Sequence, residues 1–456
     1  MRERNFAVAA TYFLLALVSA ASAASPASAA TSAPSTRPTL ELTTDHPDAI
    51  YKTGEVIRFR PVLKRVGGRD DGGAETHDLH YSIVADGDRQ IAGGALASAP
   101  SGPPEIIASL PKPGFVRCEV SFKSRAATRP TTMSIGAAVE PDKIAPSLPV
   151  PEDFDAFWSA QKKLLADHPA ETKLIPVKST DPAIEAFDVQ IPGPQPGTNV
   201  SGYFARPIGA KPKSLPAILY PHSAGVRDSD LPHAIRGAKL GAGAIALDFN
   251  AHGVPNAQPP EFYKDLLNGA LSDHRVRGMQ DREKVYFRGM YLRVLRALDF
   301  LTKQPEWDGR ILIVEGSSQG GGQALVAAGL DPRVTLCLAS VPALCDLTGP
   351  VAGRESGWPK MLKPAADGSL DEKAVQALRY VDAMNFASRI RCQTIVSVGF
   401  VDKTCPPSSV CAAFNNIPAT TDKTLVMRPT MGHQFPPDLI AAWDDVIRAH
   451  IAEMRK

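Results

Sequence analysis

Cysteine is scarce, six residues in 456, too few to staple a chain of this length, so a hydrophobic core must hold it together. Cys118 stands far from the other five; Cys405 with Cys411, or Cys337 with Cys345, could each close a short loop, and buried free thiols suit the same residues. No Cys/His spacing of the zinc type occurs, which argues against a structural metal. An excess of charge is also missing. Lys+Arg 50 against Asp+Glu 48 leaves a net charge of +2, with nothing to draw nucleic acid or an anionic surface. A long apolar run is found only at residues 6–18, preceded by Arg2 and Arg4 and followed by the small-residue sites Ala21-Ser22-Ala23 and Ala27-Ser28-Ala29. The run is short for a membrane span, so residues 1–24 read as a cleaved secretory signal, with an uncleaved anchor as the alternative. The expectation is a periplasmic or extracellular protein with no stable membrane insertion after cleavage.

What is present supports two domains: 44% hydrophobic and 21% charged residues over this length can fill one large core and one smaller core. Residues 25–37 are rich in Ala, Ser and Pro and read as a disordered leader. Residues 38–140 carry β signals. Val116, Cys118, Val120 and Phe122 alternate with Arg117, Glu119, Ser121 and Lys123, the period of a strand with one wet face. Short runs at 39–42, 56–59, 79–84 and 133–136 are similar, with the Gly/Asp cluster at 67–73 between two of them. A small immunoglobulin-like β-sandwich results, as a spacer or packing module or as a carbohydrate-binding module. Residues 141–150 are a proline-bearing linker. From residue 151 onward a helix with Phe154, Phe157, Trp158, Gln161 and Leu165 on one face leads into alternating strands and helices.

The centre of that second domain is Gly316-Ser317-Ser318-Gln319-Gly320, which follows the apolar run Ile311-Leu312-Ile313-Val314 and opens into a helix of small residues. A strand, a glycine-flanked turn and a helix form a nucleophile elbow that lifts Ser318 into solvent. A serine hydroxyl needs a base, and the base needs an acid that fixes its tautomer. Two histidines follow Ser318. His433 lies just past the last expected strand and is the base; His450 sits in a terminal amphipathic helix. Among the acids between, Asp402 directly follows the buried run 394–400 and is the orienting acid, with Asp382 in reserve. The backbone amides of Gln319 and of Ala224, within His222-Ser223-Ala224-Gly225, are the expected oxyanion donors. His222, Ser223 and His252 are candidate pocket residues, or loop hydrogen-bonders. Strands near 186–191, 200–205, 217–220, 244–248, 311–314, 335–340, 394–399 and 424–428 put the elbow after the fifth of eight, the arrangement of an α/β-hydrolase fold.

Several stretches together are similar to the acetyl xylan esterase and cephalosporin C deacetylase group, the family-seven carbohydrate esterases. They are Pro151-Glu152-Asp153-Phe154-Asp155-Ala156-Phe157-Trp158, Tyr286-Phe287-Arg288-Gly289-Met290-Tyr291, the elbow, Tyr380-Val381-Asp382-Ala383-Met384-Asn385-Phe386-Ala387, and the run from Val398 to Pro407. The resemblance spans residue 151 to the C-terminus. It implies an eight-stranded α/β-hydrolase sheet, hydrolysis of acetyl esters on xylo-oligosaccharides and similar polyols, and no cofactor. It also leaves a homo-oligomer open, since such enzymes tend to form rings. Three positions depart from the family pattern: Asn250-Ala251-His252 stands in place of Arg-Gly-Gln, His222-Ser223-Ala224 in place of His-Gly-Tyr, and Gly432-His433-Gln434 in place of Gly-His-Glu. The expected partner is an acylated carbohydrate. An oligopeptidase-type or general carboxylesterase, and an inactive polysaccharide-binding protein, are the alternatives.

Overall fold

The computed structural model describes residues 39–64, 79–86, 89–96, 104–122 and 129–456. The expected signal and leader, and the Gly/Asp cluster at 67–73, lie outside the described residues. The N-terminal part is built from β1 (Thr39–Thr44), β2 (Ile50–Tyr51), β3 (Ile57–Lys64), β4 (Leu79–Ala85), β5 (Arg89–Leu96), β6 (Ile106–Ala108), β7 (Gly114–Phe122) and β8 (Thr131–Val139). They form two sheets, β1-β3-β6 and β2-β8-β7-β4-β5. Leu42, Phe59, Ile83, Val116, Val120 and Ile135 fill the layer between them, which is how a sandwich hides one face of each sheet. The alternation on β7 holds for Val116, Cys118, Val120 and Phe122, all buried. The opposite face is not simply wet, however: Phe115 and Arg117 are buried too, because this side of the sandwich docks on the rest of the chain.

The larger part begins with α1 (Phe154–Ala166), whose buried residues are Phe154, Phe157, Trp158, Gln161 and Leu165. Then come β9 (Lys173–Val177), β10 (Ile184–Ile191), β11 (Val200–Pro207), β12 (Leu215–Pro221), α2 (Leu231–Ala238), β13 (Ile245–Phe249), α3 (Pro260–Asn268), α4 (Tyr286–Thr302), β14 (Trp307–Ser317) and α5 (Gln319–Leu330). β15 (Leu336–Ser340), α6 (Glu372–Leu378), α7 (Ala383–Ala387), β16 (Gln393–Gly399), α8 (Pro407–Asn416), β17 (Lys423–Arg428) and α9 (Pro437–Met454) complete it. The strands make one sheet in the order β17-β16-β15-β14-β12-β13-β11-β10-β9. It has nine strands where the sequence suggests eight. The extra one, β9, is an exposed edge strand containing Pro176, where a missing amide donor is tolerated and no apolar alternation marks it.

From β12 to β17 neighbouring strands run parallel, while β9, β10 and β11 attach antiparallel. Helices cover both faces. Leu312 and Val314 face a core shared with α1, α4 and α5, whereas Ile311 and Ile313 face one shared with α2 and α9. The parallel strands therefore end together at one edge, where an open sheet of this type presents its reactive groups. This is an α/β-hydrolase fold preceded by a strand-rich region. All six cysteines are free, so neither of the two loop-closing disulfides forms: Cys337, Cys345, Cys405 and Cys411 are each buried in the core as small apolar side chains.

Candidate active site

β14 ends in the elbow, and its backbone explains the flanking glycines. Ser318 has φ 57 and ψ −122, a conformation that side-chain-bearing residues rarely adopt. A Cβ on Gly316 would lie 2.2 Å from the Gly320 carbonyl oxygen, and one on Gly320 would lie 2.2 Å from that of Pro221. Only glycine fits at either place. The strained turn is held by Ser318 N–H donating to the Ser340 carbonyl at 2.9 Å, and by the amides of Ala343 and Gly322 donating to the Ser318 carbonyl.

Asp402 follows β16 on the same sheet edge. Its Oδ1 accepts the amides of Thr404 and Cys405 at 2.8 and 2.9 Å, which turns Oδ2 toward His433. The loop after β17 carries His433, whose Nδ1 is 2.8 Å from Asp402 Oδ2 and whose Nε2 is 2.8 Å from Ser318 Oγ. A carboxylate can only accept, so Nδ1 carries the proton and Nε2 presents its lone pair to the serine hydroxyl. The acid and base loops are tied to each other by Phe400 N–H to the Arg428 carbonyl and Val401 N–H to that of Met431, at 3.1 and 3.2 Å. Asp402 is buried; Ser318 and His433 are partly exposed.

The amide of Gln319 opens α5, and that of Ala224 lies in the loop after β12; neither has a hydrogen-bond partner among the described residues. The β12 loop is fixed from two sides. Ser223 Oγ donates to the Ser317 carbonyl at 3.1 Å, and Gln323 Nε2 donates to the His222 carbonyl at 3.1 Å. Together these groups offer a hydroxyl, a base in the right tautomer, a buried acid and two free amides.

The other residues singled out by sequence have structural partners. His222 Nε2 meets Asp248 Oδ1 at 3.0 Å, and His233 Nδ1 meets Asp248 Oδ2 at 2.9 Å. Burial works to raise the Asp248 carboxyl, but the charge and hydrogen bonds of the two histidines outweigh it and hold it at about 2. No local spacing signals this pairing, which joins three different elements. His252 Nδ1 is 2.7 Å from the Tyr286 hydroxyl; burial, then the neighbouring His274 and Arg293, push its imidazole down to about 3. Asn250 bridges the amides of His252 and Val254 and the Val254 carbonyl, so it staples its own loop. Asp382 is a capping residue: it accepts the amides of Met384, Asp346 and Leu347 and has no contact with His433. Burial and the nearby Asp346 push its carboxyl well above the usual range, against the pull of those three amides. His450 bonds to Gln393 and Thr335.

Asp402, Cys405 and His433 are the one group of three close metal-type donors among the described residues. They suit a metal poorly. Asp402 and His433 already satisfy each other, and burial holds the Cys405 thiol far above the range where it would ionise. A cavity of about 520 Å3 lies beside the site, between α2, the end of β14 and α9, lined among others by His222, Ser223, Glu315, Ser317 and Phe435. Ser318, Asp402 and His433 do not line it.

Known proteins resemble this chain over most of its length. The family model described as acetyl xylan esterase (AXE1) matches residues 141–443. The acetyl esterase Axe7A of Xylanibacter ruminicola is 29% identical over 397 residues, 85% of this chain and 85% of that one. The solved structure of an acetyl xylan esterase from a Paenibacillus species is 30% identical, with a TM-score of 0.57 covering 68% of this chain and 98% of that chain. Acetyl xylan esterase 1 from a Thermoanaerobacterium species, 23% identical with a TM-score of 0.58 over 70% of this chain and 98% of that chain, shares the fold.

Proposed function

The chain belongs to the acetyl xylan esterase family and is a carboxylic-ester hydrolase; on that premise we propose that it removes acetyl groups from carbohydrates such as acetylated xylo-oligosaccharides through Ser318, His433 and Asp402. The observation that carries the reading is His433 standing 2.8 Å from both Ser318 and Asp402. In the first half-reaction Ser318 Oγ attacks the ester carbonyl while His433 Nε2 takes the hydroxyl proton. The carbonyl oxygen becomes an oxyanion facing the Gln319 and Ala224 amides, and loss of one such donor typically slows turnover about a hundred- to a thousand-fold. As the tetrahedral species collapses, the proton on Nε2 passes to the departing sugar oxygen, leaving Ser318 acetylated. Water then gives its proton to Nε2, attacks the acetyl carbon and releases acetate, and the serine recovers its proton. Asp402 keeps its charge throughout and stabilises the imidazolium. The apolar run at residues 6–18, preceded by Arg2 and Arg4, supports export as the place of action.

The test compares acetylated xylo-oligosaccharides, p-nitrophenyl esters of rising acyl length and peptide amides. Acetate release from the oligosaccharides, with turnover falling as the acyl chain lengthens, supports a carbohydrate deacetylase. Preference for long acyl chains would support a general carboxylesterase, and amide cleavage an oligopeptidase.

A further inference from the structure

The N-terminal sandwich touches the hydrolase where Asp402 and His433 are carried. The Phe115 ring of β7 meets the Phe400 ring edge-on, with centroids 5.1 Å apart and planes at 66°. Phe400 lies two residues before Asp402. From β8, Gly136 N–H donates to the Pro429 carbonyl at 2.8 Å, four residues before His433. The approach is so close that a Cβ on Gly136 would lie 2.7 Å from the Phe400 carbonyl oxygen and 2.4 Å from its Cβ. Phe115 and Phe400 are 2% and 1% exposed, and together with Ala49 and Ala138 they belong to the main hydrolase core rather than to the core of the sandwich. Glu119 reaches Lys403 at 2.5 Å across the same seam, but that lysine is exposed and the pair adds little.

We infer that the sandwich is a positioning element of the active centre: Phe115 and Gly136 hold the Phe400–Asp402 and Pro429–His433 loops at the separation their hydrogen bond requires. The inference rests on the roles given to Asp402 and His433 above. Close-packed interiors transmit displacements, and a shift of about 1 Å in a reacting group can slow turnover on the order of a hundredfold. On that side Phe400 packs against Phe115, and Pro429 is tied by the Gly136 amide. A domain with no group of its own in the site would therefore set its geometry.

The test is the full-length Phe115→Ala variant, with Phe115→Leu as a partial replacement and Phe59→Leu, in the sandwich core away from the seam, as a control for general destabilisation. Expected for Phe115→Ala is a fall in kcat of about tenfold or more with KM within about twofold. It should also lose the low-field imidazole proton resonance that a His433→Gln variant identifies. Phe115→Leu should fall between it and the parent, and Phe59→Leu should lower Tm while keeping kcat. If Phe115→Ala does not fold, Phe115→Leu decides by the same readings. Unchanged kcat and an unchanged resonance would overturn the inference, as would an equal loss of kcat in Phe59→Leu at matched loss of Tm. Failure of the underlying reading looks different: Ser318→Ala would then retain turnover whatever Phe115 does.

Discussion

His433 Nε2 lies 2.8 Å from Ser318 Oγ although 115 residues separate them. The pair meets because β14 and β17 end at the same edge of a parallel sheet, so that the turn after one and the loop after the other come within hydrogen-bonding reach. Asp402, after the intervening β16, completes the set from the same edge.

Two aspartates near this edge should separate cleanly by mutation. Asp402→Asn keeps size and fold but removes the charge that fixes the His433 tautomer, so kcat should fall on the order of ten-thousand-fold with little change in Tm. Asp382→Ala instead leaves three buried amides without an acceptor and should destabilise the fold on the order of 3 kcal/mol, while protein that does fold keeps its turnover. Urea unfolding and steady-state kinetics on both variants check the division.

His252 should make the protein acid-sensitive. Burial first, then His274 and Arg293, hold its imidazole at about 3 against an ordinary 6.5. Between those values the unfolded chain binds a proton that the native state refuses, so stability is intact above pH 6.5 and declines as pH falls, by about 1.4 kcal/mol per unit. His274, also depressed mainly by burial, acts in the same sense. His252→Gln removes one titrating group and should flatten the dependence of the urea midpoint between pH 6.5 and 4.5. An unchanged slope would show that other groups set it.

Every cysteine carries a free thiol, and burial pushes all six up, Cys118 to about 12 and Cys392 to about 11. Reductant should leave Tm unchanged. An aromatic disulfide reagent should titrate six thiols in denaturant and few in the native protein, where only Cys392 is partly exposed. A rise in thiol count on reducing the denatured protein would contradict this.

The elbow was legible because it is local: an apolar strand, two glycines about a serine and a run of small residues lie side by side in the chain. The meeting of Asp402 and His433 was legible from their places after apolar runs, and α1 from its helical stripe of Phe154, Phe157, Trp158, Gln161 and Leu165. β9 was not legible, since Lys173, Pro176 and its exposed faces carry no alternation. Nor was the burial of Arg117 and Phe115, because what covers that face of β7 comes from Phe400 and its surroundings, far along the chain. The Asp248 pairing with His222 and His233 is of the same kind: three polar residues on separate elements, each unremarkable where it stands in sequence.

In the proposed mechanism the acetyl group rests on Ser318 between the two half-reactions. The most direct measurement is rapid quenching of the protein turning over p-nitrophenyl acetate, with mass spectrometry of its peptides, in parallel with acetate release by Ser318→Ala. An acetyl adduct on the peptide containing Ser318, and turnover in the variant reduced on the order of a million-fold with Tm preserved, is the expected result. Acetate release persisting in folded Ser318→Ala, or an adduct on another residue, would contradict it.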